Sequence, residues 1–213
     1  MTDPAAYHRW YATRRGEWIA GRELQVLTTL AGFRAGECAL DVGCGTGYFA
    51  SALADYGLTV TGLDPDTDAL RFAAARDHRL ALVGGQGEAL PFADGSVEHV
   101  VAVTSLCFVA SPAKAVREMW RVCRCTLTLG LLHRRSLLYY RKAGHETYAG
   151  ARWDRYDEVL AWTQGLAPAP DITARWAVFL PSGSAPARAL EPVLPGRLPL
   201  GSFLAVCLHK PAT

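Results

Sequence analysis

No C-x-x-C pair occurs among the six cysteines, and the C-x-C at Cys123 and Cys125 has no histidine nearby to complete a zinc site, so no resident metal is expected. All six cysteines lie in or beside apolar runs and read as buried free thiols of a reducing compartment. No run of 18 apolar residues exists, which excludes a membrane-spanning helix. The opening MTDPAAYHRW has no apolar core of a secretion signal; a soluble, cytoplasmic chain is expected. No block of five like charges occurs and the net charge is only +2, so no nucleic-acid partner is expected. There is no internal repeat. A chain of 213 residues, 50% hydrophobic and 20% charged, suits one domain with a sizeable core.

What is present is alternation. Helix-like spacing runs over Glu17 to Gly32, Tyr48 to Gly57, Thr67 to Asp77, Ser111 to Arg124 and Asp154 to Gly165. Ser111 is a candidate cap ahead of Pro112, and Asp154 a candidate cap for the last helix. Strand-like runs lie between them: CALDV, LTVTGLD, RLALV, VEHVVAVTSL and TLTLGLL, then ITARWAVFL and SFLAVCLHK. Strands alternating with helices predict an α/β fold, a mostly parallel sheet with helices on both faces. The last two strands lack a helix between them and predict an antiparallel pair at one edge. Five prolines between Pro181 and Gly201 mark a connection, not a domain boundary.

The segment ALDVGCGTGYF places Gly43, Gly45 and Gly47 directly after a strand and ahead of a helix expected from about Thr46. Glycine lets backbone approach a ligand closely, and a helix start offers free N–H groups. The spacing is G-x-G-x-G with Tyr48 following, not the G-x-G-x-x-G of dinucleotide dehydrogenases. Asp41 would repel a pyrophosphate but suits a ligand carrying an ammonium or sulfonium. Asp64 ends the next strand, where a carboxylate can accept from ribose hydroxyls, or simply begin a turn in Asp64-Pro65-Asp66.

In order and spacing, LDVGCGTGYF, GLDPD, GQGEALPFADGSVEHVVA and REMWRVCR resemble the class I S-adenosylmethionine-dependent methyltransferases, in particular the small "type 11" branch. The resemblance covers roughly residues 7 to 140. It implies a Rossmann-like seven-stranded sheet in a single domain over 1–213, with a lid over 1–32, a cofactor core over 33–135 and a substrate side over 136–213. It also implies S-adenosylmethionine as cofactor. Asp41 with Gly43, Cys44 and Gly45 would hold the amino-acid end. Asp64 would take the ribose, Leu63 and Pro65 the adenine face, Gln86 and Gly87 the adenine edge, and Thr104 the methionine part. Three departures stand out. Gln86 replaces the family's usual Asp. Ser96-Val97-Glu98 replaces Ser-Phe-Asp, which reads as core and surface drift. No P-G-G turn separates the helix ending near Cys123 from the next strand, so that join must be tight.

Methyl transfer needs alignment and dryness more than a dedicated base. Tyr7, Trp10, Tyr11 and Trp18 form a candidate aromatic lid or, equally, a face packed on the sheet. Ser105 and Cys107 follow the fourth strand and are candidate acceptor contacts. His133, just past the fifth strand, is a candidate general base, with Arg134 or Arg135 a candidate partner for an anionic substrate. His78, His99 and His209 read as surface-like or strand-end positions without a role. A small-molecule acceptor and a monomer or homodimer are expected. The alternatives are a macromolecular methyltransferase, a non-catalytic cofactor-binding scaffold or sensor, and, further off, a nicotinamide-dependent oxidoreductase.

Overall fold

Asp3 opens the first helix by accepting from the Ala5 and Ala6 amides, with Pro4 at the first helical position, in the computed structural model, which describes residues 3–144 and 148–211. This helix, α1 (Pro4–Tyr11), is followed by α2 (Arg14–Ala31), capped by Thr13 and ended by Gly32 in the left-handed region. Then come β1 (Cys38–Val42), α3 (Tyr48–Asp55), β2 (Thr59–Asp64), α4 (Thr67–Arg76), β3 (Ala81–Gly84) and β4 (Val97–Val103). The second half holds α5 (Pro112–Val122), β5 (Cys123–Leu132), α6 (Leu137–Lys142), α7 (Tyr156–Trp162), β6 (Asp171–Ala177), α8 (Ala185–Leu190) and β7 (Phe203–His209).

The seven strands form one sheet in the order β3-β2-β1-β4-β5-β7-β6. β1 to β5 are parallel, and β7 runs antiparallel between β5 and β6. Strand residues alternate between faces, as the two-residue period of a strand requires. Leu40, Val100, Ala102, Leu127, Leu129, Leu204 and Val206 meet Val116, Met119 and Trp120 of α5 and Val159 of α7. On the opposite face, Val103, Phe203 and Ala205 meet Ile19 and Leu27 of α2 and Phe49 of α3. The strand order reverses between β1 and β4, and ligands of open parallel sheets bind beyond the carboxyl ends of the strands at such a point.

Several local expectations need correction. The helix after the glycines starts at Tyr48, two residues later than Thr46. Ser111 stands at the N-cap of α5, but its side chain makes no cap bond. Asp154 does not cap α7; Arg155 occupies that place, and Glu158 accepts its amide at 2.7 Å. Helices α1, α6 and α8 were not resolved from the sequence pattern, because each is only six to eight residues long. All six cysteines are free, but Cys38 is exposed and Cys125 half-buried. His99 is buried between Thr126 and Glu37, its nitrogens 2.7 and 2.8 Å from their oxygens. Glu98 is engaged rather than drifting: it accepts from the Cys38 amide and pairs with Arg124. The join between α5 and β5 is as tight as it can be, with Val122 helical and Cys123 already in the strand.

The edge hairpin is held by a buried carboxylate. Val178 has φ of 59°, a left-handed conformation that a β-branched residue seldom adopts. Glu191, only 1% exposed, accepts from the Val178 amide at 2.5 Å and the Phe179 amide at 3.0 Å. Removing it leaves two buried N–H groups without acceptors. Glu191→Ala is expected to lose roughly 2–4 kcal/mol of folding free energy, read from urea unfolding, and Glu191→Gln a good deal less. An unchanged midpoint for the alanine variant would refute this anchoring role.

Candidate active site

The chain reverses between β1 and α3 through three glycines with positive φ: Gly43 at 77°, Gly45 at 52° and Gly47 at 75°. At Gly43 the requirement is also steric, since a Cβ would lie 2.3 Å from the Cβ of Ser105. The Ser105 hydroxyl donates to the Val42 carbonyl at 2.7 Å and so locks the end of β4 against the end of β1. The loop is pinned to β2 as well. The amides of Gly43 and Cys44 donate to the Leu63 carbonyl at 2.7 and 3.1 Å. The Asp64 carboxylate accepts from the Gly45 amide at 2.8 Å with one oxygen and from the Asp66 amide at 2.8 Å with the other. Asp66 in turn caps α4.

These elements border a cleft of about 660 Å³ at the strand reversal. Asp41, Gly43, Cys44, Gly45, Asp64, Pro65, Gln86, Gly87 and Thr104 all line it, as do Tyr7, Tyr11 and Ser105. Gln86 and Gly87 reach it through a tight turn after β3, closed by the Ala89 amide on the Gln86 carbonyl at 3.1 Å. Thr104 reaches it from the end of β4 with φ of 48°, a strained conformation of the kind that gathers at functional sites.

Asp41 carries the sharpest electrostatic signal. It is 2% exposed, and its Oδ2 is buried without a hydrogen-bond partner. Burial, and then the neighbouring Asp64 carboxylate, push its carboxyl up to about 7. A buried carboxylate oxygen without a donor is costly, so the site favours a ligand that brings one.

The lid residues divide. Tyr7 and Tyr11 line the cleft, their hydroxyls 3.2 Å apart, and Tyr11 stacks on Tyr48 at 3.8 Å between ring centres. Trp10 and Trp18 instead pack against the α2 side of the sheet. His8 Nδ1 lies 3.0 Å from the Thr46 hydroxyl and fastens α1 to the glycine loop. Sequence reasoning missed His8, Tyr48, Phe49 and Phe108 as neighbours of the cleft. Tyr48 was legible, since it is the first helical residue after the glycines.

His133 and Arg134 need correction, for neither lines the cleft. β5 lies one strand beyond the reversal, and its end is covered by the chain around Gly201. His133 is 1% exposed; its Nδ1 is 3.0 Å from the Gly201 carbonyl and its ring packs edge-on against Trp176. Burial lowers its pKa. Arg134 is taken up by the Trp153 carbonyl at 2.8 Å and Glu158 at 3.0 Å. Cys107 donates to the Thr104 carbonyl at 3.1 Å, and burial pushes its thiol up to about 12, far from a nucleophilic thiolate at neutral pH.

Comparison with known proteins agrees with this geometry. The model of a methyltransferase domain matches residues 40–126. An uncharacterised methyltransferase of Mycolicibacterium gilvum is 47% identical over 40% of this chain, which covers 34% of that protein. Another, from Mycolicibacterium vanbaalenii, is 34% identical over 68% of this chain and 69% of its own. A crystal structure from Thermotoga maritima, described as an S-adenosylmethionine-dependent methyltransferase and possible histamine N-methyltransferase, superimposes with a TM-score of 0.79 at 26% identity, covering 97% of this chain and 95% of that one. The chain belongs to the class I S-adenosylmethionine-dependent methyltransferases and is an enzyme of that family. Among the described residues, no helix is long and apolar enough to cross a membrane.

Two outcomes follow from the site. His133→Ala is expected to lower the melting temperature while leaving S-adenosylhomocysteine affinity and turnover, measured well below melting, within about twofold; a large loss of turnover at full folding would restore a catalytic role. Asp41, with its pKa raised in the folded protein, favours folding most at pH below its usual 3.8, and that contribution is lost as pH rises through about 7. A cationic ligand prefers the ionised carboxylate, so S-adenosylhomocysteine affinity should rise over the same window. Asp41→Asn should flatten that rise and weaken binding at pH 8 at least tenfold; a titration curve that keeps its pH dependence would contradict it.

Proposed function

We propose that the cleft binds S-adenosylmethionine and that the protein directs its methyl group to a small-molecule acceptor. The observation that carries this reading is the unpartnered, buried carboxylate oxygen of Asp41 beside the Gly43–Gly47 loop. An amino-acid ammonium supplies the missing donor and charge. A dinucleotide would instead bring its pyrophosphate against two carboxylates, Asp41 and Asp64.

In this reading Asp41 and the backbone of Gly43 and Gly45 hold the amino-acid end. Asp64 has spent one lone pair of each oxygen on the Gly45 and Asp66 amides and keeps the others for ribose hydroxyls. Leu63 and Pro65 offer an apolar wall for the adenine, and Gln86 a neutral acceptor for its amino group. The bound cofactor supplies an electrophilic methyl on sulfur; the chain's part is to orient it and to exclude water. Tyr11 and Tyr48 stack on each other beside the cleft, and Phe108 stands exposed at its rim. A loose general base is not part of this arrangement, because the expected one, His133, is enclosed elsewhere.

Calorimetry tests the reading. S-adenosylhomocysteine is expected to bind the wild type while NADH does not. Asp64→Ala is expected to weaken S-adenosylhomocysteine at least tenfold, because the ribose acceptor and the Gly45 anchor are lost together. Asp64→Asn, which keeps an acceptor, should fall between. Binding of NADH in place of the sulfur ligand, or an unaltered constant in Asp64→Ala, would defeat it.

A further inference from the structure

The buried face of α2 is a regular stripe of Gly16, Ile19, Ala20, Leu27 and Ala31. Helical spacing puts one more residue on that stripe, four after Ile19 and four before Leu27, and it is Glu23. Ile19 and Leu27 pack in the cluster that contains Tyr11, Phe49 and Val103, three residues that line the cleft. A carboxylate has therefore been set into the row of apolar side chains that faces the cleft wall. Charges in such places are normally paired, because desolvating an unpaired one is expensive. Glu23 makes no hydrogen bond or ion pair among the described residues.

Four tyrosines from three segments lie within reach of its charge. The Glu23 charge contributes to raising the hydroxyls of Tyr7, Tyr11, Tyr48 and Tyr148. Tyr7 and Tyr11 meet edge to face at 5.7 Å, and Tyr148 packs beside Trp153 at 5.3 Å. Tyr7 is 40% exposed and Glu23 partly exposed, yet burial raises both groups. Burial pushes the Glu23 carboxyl up to about 8, with no cationic partner among the described residues. Arg15, whose charge also reaches Tyr148, donates its Nε to the Pro181 carbonyl at 2.7 Å.

We propose that Glu23 and the tyrosines 7, 11 and 148 form the acceptor subsite, and that the acceptor is a small amine held through its ammonium group. The carboxylate supplies the counter-charge and the tyrosine rings supply π faces, the pairing by which proteins hold organic cations. Among the described residues no cation pairs with the carboxylate, so selectivity for a cation over its neutral isostere falls on Glu23. This inference rests on the cofactor reading of the adjoining cleft.

The test uses the S-adenosylhomocysteine complex of the full chain and matched pairs of probes: 2-phenylethylamine with 2-phenylethanol, tyramine with tyrosol, and hexylamine with hexanol. Calorimetry at pH 8 should show at least one amine binding tenfold or more tightly than its alcohol. Glu23→Gln should erase that preference while S-adenosylhomocysteine affinity stays within about twofold and the melting temperature does not fall. A wild type that prefers no amine, or a preference that survives in Glu23→Gln, overturns the proposal while the cofactor reading stands. Failure of S-adenosylhomocysteine to bind the wild type overturns both.

Discussion

The carboxylate of Asp64 joins two amides that belong to different turns, Gly45 in the loop after β1 and Asp66 at the head of α4. The consequence is structural before it is chemical. The glycine loop has three left-handed residues and no side-chain cap at the start of α3, so by itself it has little reason to hold one shape. Asp64 and the Leu63 carbonyl give it one, by fixing three consecutive amides, Gly43 to Gly45, onto the end of β2. Ser105 then closes the other side against β4. The cleft is therefore the meeting point of three strand ends, each satisfied by another's backbone.

This locking explains why the glycine loop and its partners were legible from residues alone. Gly43 is required both by its φ and by the space Ser105 occupies, and Asp64 is required by the amides it receives. Such demands leave a dense local pattern; Asp41, Gly43, Cys44, Gly45 and Asp64 of that pattern line the cleft, and Gly47 lies outside its lining. The seven-stranded order with its antiparallel edge was legible for a related reason: alternating strand and helix periods allow few topologies. The acceptor side was legible only in Tyr7 and Tyr11 of the aromatic lid, because its other proposed members, Glu23 and Tyr148, are scattered. Tyr7 and Tyr11 come from α1, Glu23 from α2 and Tyr148 from the segment after α6.

His133 shows the opposite failure. Its position just past a central strand is where a base would sit if every strand end opened on the same cleft. The sheet order decides otherwise, since β7 follows β5 and the Gly201 turn roofs its end. Asp154 went astray in the same place. It looked like a cap but lies two residues before α7; its backbone bridges to His133 and its carboxylate holds Arg152, which also ties the Leu106 and Val109 carbonyls. Long-range backbone pairing outweighed a local capping preference, and no window of sequence contains that competition.

The distribution of charge is the constraint that links the two halves of the site. Asp41 and Asp64 face one cleft, and burial and then the Asp64 charge raise the pKa of the Asp41 carboxyl. Glu23 adds a third carboxylate beyond the tyrosine wall, again without a cationic partner. A fold gains nothing from burying carboxylates that lack a donor, as Asp41 and Glu23 do among the described residues. Their presence makes sense if the missing positive charge arrives with ligands, an amino-acid ammonium and a sulfonium on one side and an amine on the other. On that argument the empty protein is held slightly short of its best stability, and ligand binding restores what the carboxylates withhold.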